Sequence, residues 1–310
     1  MYKDKIEKTK ETLKLAVEMS KEFYGKPLII TYSGGKDSDV LLDIARKCLR
    51  PDEFEVLNSH TSVDAPETVY HIREVFNEVR EGGTKCTVHI PKDKDGKQIT
   101  MWNLIPKKKM PPTRIVRYCC AVLKETSTPN RICAVGVRAS ESSGRKGRDI
   151  FAIRGKTKKD AQYFSMEHSR EVFEESKDRD PVWDCTLIAK MRENKDIIVN
   201  PIYEWSDSDI WEYINDNELV VNQLYSRGYK RVGCIGCPLA SYHEMMKEFS
   251  DYPKIKDAYI RAFQRMIDQY DDDRKKKKNW RTGQDVFDWW TEKWKHQVKG
   301  QMSLENFIKD

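Results

Sequence analysis

No run of residues in this 310-residue chain is apolar for long enough to cross a bilayer, which takes about 20 residues as a helix. The opening residues, Met1-Tyr2-Lys3-Asp4-Lys5, lack the apolar core of a secretory signal. The expectation is a cytoplasmic protein with no membrane partner. In that compartment eight cysteines point to metal or redox chemistry more than to disulfides. No internal repeat is present. Neither sign of charge dominates: a net charge of +6 admits an anionic substrate or a nucleic acid without requiring one. A hydrophobic fraction of 38% beside a charged fraction of 34% is polar yet globular, and the length suits one large α/β domain with a smaller part attached.

What is present centres on Ser33-Gly34-Gly35-Lys36-Asp37-Ser38. Before it, Pro27 to Tyr32 is an apolar, β-branched run that reads as a buried strand. After it, Asp39 to Cys48 carries apolar residues at helical spacing. The loop therefore joins the C-terminal end of a strand to the N-terminal end of a helix, which is where open α/β sheets bind ligands. Unpartnered N–H groups and the positive end of the helix dipole favour an anion there. Gly34 and Gly35 allow close backbone approach, Lys36 adds a full charge, and Ser33 and Ser38 add hydroxyls. A glycine turn with a serine cap is the competing reading. The spacing fits neither GxxxxGK[ST] nor GxGxxG. The hexapeptide instead resembles the SGGxDS loop (PP-loop) of the ATP pyrophosphatases. That resemblance implies a phosphate or pyrophosphate site for an adenine nucleotide on a mostly parallel sheet flanked by helices, an adenine nucleotide α-hydrolase-like α/β fold.

Further strand ends carry further candidates. Residues 54–59 read as a second strand, followed by Asp64, Pro66 and Glu67. Asp64 and Glu67 are read either as facing the nucleotide through Mg2+ or, for Asp64, as capping the next helix. Residues 85–90 read as a third strand, with Cys86 and His89 as core or edge residues. Residues 91–118 are expected to be irregular and basic, with Lys107, Lys108, Lys109, Arg114 and Arg117 leading into Cys119. Residues 131–137 read as a core strand. Beyond it, Arg138 and Arg145 are candidate anion contacts with Glu141 orienting them. Ser206 to Asp209 starts a helix. The aromatic tail, with Trp280, Phe287, Trp289, Trp290 and Trp294, is expected to pack on the body or on a second subunit, base stacking being the alternative. Residues 1–240 are expected to form the nucleotide-binding domain, with charged residues 146–195 as an insertion or lid. Residues 241–310 form a helical C-terminal extension, in which Asp271 to Lys278 reads as a solvated linker.

Cys234 and Cys237 form a CxxC, and Cys119-Cys120 is its candidate second half. Four thiolates suit zinc or an iron–sulfur cluster. Adjacent cysteines are awkward for a zinc knuckle, so a [4Fe–4S] cluster leads, with zinc and no metal as the alternatives. Cys48, Cys86, Cys133 and Cys185 are left structural.

Taken in order, SGGKDS, HTSVDAPET, RYCC, GVRASES, NPIYEWSDSDIWEYI and LYSRGYKRVGCIGCP resemble the phosphoadenosine phosphosulfate (PAPS) reductase family over about residues 25–240. The CC and CxxC elements resemble its iron–sulfur-bearing branch. The resemblance implies a nucleotide site at Ser33–Ser38 with Asp64, Arg138 and Glu141 nearby, taking ATP, PAPS or adenylylsulfate. It also implies a cluster held by Cys119, Cys120, Cys234 and Cys237. Lys36, Asp37 and Arg138 are the catalytic candidates. The reductases carry a nucleophilic cysteine in a C-terminal motif, and here no cysteine follows Cys237. The family also contains PP-loop sulfurtransferases that activate an oxygen with ATP and replace it with sulfur, some acting on DNA. Two chemistries therefore stay open: reduction of a sulfonucleotide and ATP-dependent sulfur transfer. The partners expected are a nucleic-acid acceptor or a protein supplying sulfur or electrons, and a further copy of the chain. A non-catalytic nucleotide- or nucleic-acid-binding protein is the alternative class.

Overall fold

The computed structural model describes residues 2–141, 145–154, 161–178, 186–193, 195–272 and 278–297. Ser142 to Gly144, Cys185, linker residues 273–277, the side chain of Trp294 and everything after 297 lie outside that description. In chain order the elements are α1 (Tyr2–Tyr24), β1 (Leu28–Thr31), α2 (Lys36–Cys48), β2 (Phe54–Ser59), α3 (Pro66–Glu81), β3 (Cys86–His89), α4 (Met101–Lys108), α5 (Tyr118–Leu123) and β4 (Ile132–Ala134). There follow β5 (Phe151–Ile153), β6 (Gln162–Phe164), α6 (Met166–Asp178), α7 (Thr186–Arg192), β7 (Ile197–Val199), α8 (Asp207–Asp216), α9 (Tyr242–Asp251), α10 (Pro253–Ile267) and α11 (Gly283–Gln297). No described helix is long and apolar enough to cross a membrane.

The chain divides into two compact units. The first is Met1–Ser59, Pro66–His89 and Ser127–Val232; the second is His60–Ala65, Ile90–Thr126 and Gly233–Asp310. The first holds a seven-stranded sheet in the order β3-β2-β1-β4-β7-β5-β6. From β3 to β7 neighbouring strands are parallel; β5 runs antiparallel to both β7 and β6. Strand β1 has all but its last residue buried, as its apolar run requires. The chain order reverses around β1, between β2 on one side and β4 on the other. In open sheets of this kind ligands bind beyond the carboxyl ends of the strands where the order reverses, here β1 and β4. Helix α1 sets Leu13, Ala16 and Met19 into a core with Ile30, Val56, Ile132 and Val199, each large side chain gaining about 1.5–3 kcal/mol from burial. Residues 146–195, expected as an insertion or lid, supply β5 and β6 to the sheet itself.

The second unit is helical, and the aromatic tail forms its core. Phe249, Tyr259, Phe263, Phe287 and Trp290 pack ring against ring, with centroids 5.0 Å apart for Phe249 and Phe287 and 5.1 Å for Tyr259 and Trp290. Trp290 is 1% exposed and donates its indole N–H to Pro112 O at 2.8 Å. Residues 91–118 differ from the expected irregular stretch by containing α4. Pro106 lies inside that helix and leaves the carbonyl of Trp102 without its usual donor. Arg265 of α10 supplies the missing bond, donating to Trp102 O at 2.8 Å.

Candidate nucleotide and cysteine sites

The loop after β1 is shaped mostly by its own residues. The Ser38 hydroxyl donates to Gly35 O at 2.7 Å and accepts from Gly35 N–H at 3.2 Å and Ser33 N–H at 3.3 Å. Gly34 turns with φ +73°, and a Cβ there would meet Ile72 Cγ1 at 2.9 Å, so only glycine fits. Asn222 holds the turn from outside, donating to Gly34 O and to Thr68 Oγ1, both at 3.1 Å. The Lys36 N–H, in the first turn of α2, donates to the Tyr225 hydroxyl at 2.9 Å. Burial, opposed by that bond and reinforced by nearby aspartates, pushes the Tyr225 phenol up, so it stays protonated.

Two nearly buried cations face two carboxylates here. The side chains of Lys36 and Arg138 are 7% and 4% exposed. Lys36 Nζ lies 3.0 Å from Asp207 Oδ1 and 3.6 Å from Asp37 Oδ2. Arg138 Nη2 lies 3.1 Å from the same Asp207 oxygen, and its Nε 2.6 Å from Asp37 Oδ1. Arg138 Nε and Asp37 Oδ1 are thus in direct charge contact, though not aligned as a hydrogen bond. Partial burial works to raise the Asp207 carboxyl, but Lys36 and Arg138 outweigh it and hold it below the usual carboxylate range. Glu141 accepts the Arg138 backbone N–H at 3.1 Å and is ion-paired with Arg145. Burial lowers Arg145, and Arg148 and Arg231 add like-charge repulsion. The structure thus gathers Lys36, Asp37 and Arg138 around the loop, with Glu141 joining Arg138 to Arg145. Glu67 is ion-paired with Arg227.

Asp64 belongs to the second unit. Its carboxylate accepts Thr61 N–H at 2.9 Å and Thr61 Oγ1–H at 2.8 Å, and its backbone is bridged to Cys234. Ile235 N–H donates to Val63 O at 2.8 Å, so the CxxC turn is anchored on residues 60–65. Gly236, at φ +69°, closes that turn; its N–H donates to Glu248 Oε2 at 2.8 Å, and a Cβ would strike Phe249. The Tyr259 hydroxyl donates to Ile235 O at 3.0 Å.

On α5, Cys119 is buried and Cys120 half-buried; Cys234 and Cys237 are half-buried. The two adjacent thiols push each other apart in acidity: Cys119, also buried, is pushed up, and Cys120 is pulled down, with Arg117 Nη2 helping from 3.3 Å. Cys234 and Cys237 also act electrostatically on Cys119. Cys234 raises Lys124 despite its desolvation, with Asp64 adding to the effect. Arg117 Nε is buried without a hydrogen-bond partner. Among the described residues, no three His, Cys, Asp or Glu are gathered to hold a single metal ion. As a donor set, however, four thiols with cations beside them fit a thiolate-ligated iron–sulfur cluster.

Sequence reasoning names none of Asp207, Asn222, Tyr225 and Lys124 as a site residue, although Asp207 and Tyr225 lie in two of the quoted motifs. Asp207 carries a signal, but of a helix start; the other three lie in segments without periodicity.

Residues 27–240 match the family model described as the phosphoadenosine phosphosulfate reductase domain. The chain belongs to this family, within the PP-loop proteins. An uncharacterized protein of Methanocaldococcus jannaschii is 24% identical over 285 residues, covering 90% of this chain and 58% of the relative. A sulfate adenylyltransferase subunit 2 of Stutzerimonas stutzeri is 25% identical over 72% of this chain and 66% of its own length. An adenosine 5'-phosphosulfate reductase of Oceanobacillus iheyensis is 46% identical over 51 residues, 16% of this chain and 21% of that protein. The chain therefore spans less than two thirds of the length of these relatives.

Proposed function

We propose that the chain is an enzyme of sulfur metabolism that binds the phosphates of an adenine nucleotide on Ser33–Ser38, with a [4Fe–4S] cluster on Cys119, Cys120, Cys234 and Cys237. The observation that carries the nucleotide reading is the pair of nearly buried cations, Lys36 and Arg138, at the carboxyl ends of β1 and β4. A phosphate oxygen is the ligand that satisfies both a lysine point charge and an arginine fork. In this reading Lys36 and Arg138 neutralise charge as it shifts on the phosphates, and Asp37 holds the guanidinium in place. Ser38 keeps the loop in shape, and Arg145, crowded by Arg148 and Arg231, gains from an anion beside it. A [4Fe–4S] cluster takes one thiolate per iron, so its ligands need not converge on one point. When bound, it supplies iron that can carry an electron or hold sulfur.

Two reactions are the candidates: reduction of a sulfonucleotide, as in the related reductase, and ATP-dependent sulfur transfer. The test is product identification. Anaerobic protein is incubated separately with adenylylsulfate, PAPS and ATP, with a reductant or an acceptor present. Sulfite from a sulfonucleotide supports reduction. Acceptor-dependent AMP and pyrophosphate from ATP support sulfur transfer. Failure to bind or turn over any of the three nucleotides sinks the reading.

A further inference from the structure

The ion group at the loop has one exposed member. The Asp207 side chain is 63% exposed, whereas its partners Lys36 and Arg138 are nearly buried. A single oxygen of Asp207, Oδ1, bridges both cations, at 3.0 Å and 3.1 Å. One phosphate oxygen shared by a lysine and an arginine would make the same contacts. The backbone of Asp207 is fixed independently of its side chain. Ser206 and Asp209 form a capping box, with Asp209 N–H donating to Ser206 Oγ at 3.1 Å and Ser206 N–H to Asp209 Oδ2 at 2.6 Å. The Asp207 carboxylate can therefore rotate into water without disturbing α8. Asp37 is placed differently: its side chain is 20% exposed and lies against Arg138 Nε.

We propose that Asp207 is a built-in competitor for the phosphate position. Its carboxylate fills the place between Lys36 and Arg138 when no nucleotide is bound and turns away when a phosphate arrives. This rests on the reading of the loop as a phosphate site. It follows physically from leaving two nearly buried cations side by side at the carboxyl ends of β1 and β4. Asp37, beside both, offsets only one of the two charges, so without competition the pair would hold any small anion. An internal carboxylate satisfies them reversibly. The apparent affinity for every ligand that needs both cations then falls by the fraction of time the position is free. A competitor in place nine-tenths of the time weakens binding about tenfold. The factor is the same for all such ligands, since each displaces the same group. Asp207 should also stabilise the empty protein, so its removal shifts affinity and stability in opposite directions.

The experiment is calorimetric titration of the full chain with inorganic pyrophosphate and with ATP, in EDTA and again with Mg2+, using wild type, Asp207→Asn, Asp207→Ala and Lys36→Ala. Melting temperatures are taken without ligand. The expected result in EDTA is binding several-fold to about tenfold tighter in both Asp207 variants, by a similar factor for both ligands, with a lower melting temperature of the empty protein. Should Asp207→Ala not fold, Asp207→Asn carries the comparison. Unchanged or weaker binding in the Asp207 variants, with Lys36→Ala losing affinity, overturns the competitor while leaving the phosphate site standing. Weaker binding only with Mg2+ would make Asp207 a metal-holding residue and overturns it too. Pyrophosphate affinity that survives Lys36→Ala overturns the phosphate reading and the competitor together.

Discussion

Arg138 Nε lies 2.6 Å from Asp37 Oδ1, yet neither atom completes a hydrogen bond. The two are held together by charge, while the other guanidinium nitrogens donate to Ser140 Oγ at 3.0 Å and Asp207 Oδ1 at 3.1 Å. Arg138→Lys keeps the charge and loses the fork. It is expected to weaken ATP binding by about one to two orders of magnitude, in line with about 1.5–3 kcal/mol for a charge-assisted hydrogen bond. Unfolding in urea should show a smaller loss, since Lys still faces Asp37. Equal affinity in the variant would remove Arg138 from the site.

Gly34 tests the loop geometry separately from its charge. With φ +73° and Ile72 Cγ1 only 2.9 Å from where a methyl would sit, Gly34→Ala suffers both backbone strain and a clash. A loss of about 1–3 kcal/mol in stability is expected, together with weaker nucleotide binding. Adding Ile72→Ala relieves the clash and not the strain. The double variant should therefore regain affinity only in part; complete recovery would show that the positive φ is unimportant.

The loop is legible in the sequence because its determinants are contiguous: a β-branched strand, two glycines and a helix with Val40, Leu41 and Ile44 on its inner face. The two cysteine motifs are legible for the same reason. What the sequence hides is long-range or short-lived along the chain. Strands β5 and β6 are three residues each inside a charged stretch and show no period of their own. Helix α4 is masked by Pro106, whose lost bond is made good by Arg265, far away in sequence. Asp207 reads as the start of a helix, which it is. Nothing local says that the same side chain reaches Lys36 and Arg138.

Glu55 offers a pH test of the sheet. Its side chain is 13% exposed and pairs with Lys85 at 2.9 Å and Arg131 at 2.6 Å. Burial works to raise its carboxyl, but the two cations outweigh burial and hold it below the usual range. A depressed folded-state pKa means that the contribution is present above the unfolded value, about 4.3, and is lost as pH falls through the lower folded value. Glu55→Gln should therefore cost about 1–3 kcal/mol near pH 7, and the gap to wild type should close below about pH 4. Chemical denaturation at a series of pH values measures it; a pH-independent gap would contradict the ion-pair account.

For the cysteine group, anaerobically purified protein is expected to contain iron and sulfide and to absorb in the visible. Serine in place of Cys119, Cys120, Cys234 or Cys237 should lower the iron content, whereas Cys48→Ser and Cys133→Ala should not. Stoichiometric zinc without iron or sulfide would refute the cluster.

The most direct measurement of the central claim is a crystal structure of the chain with a non-hydrolysable ATP analogue. The account expects phosphate oxygens within hydrogen-bond distance of Lys36 Nζ, Arg138 and the N–H groups of the Ser33–Ser38 loop, with Asp207 turned toward solvent. Phosphates bound elsewhere, with Asp207 Oδ1 still 3.0 Å from Lys36 Nζ, would contradict it.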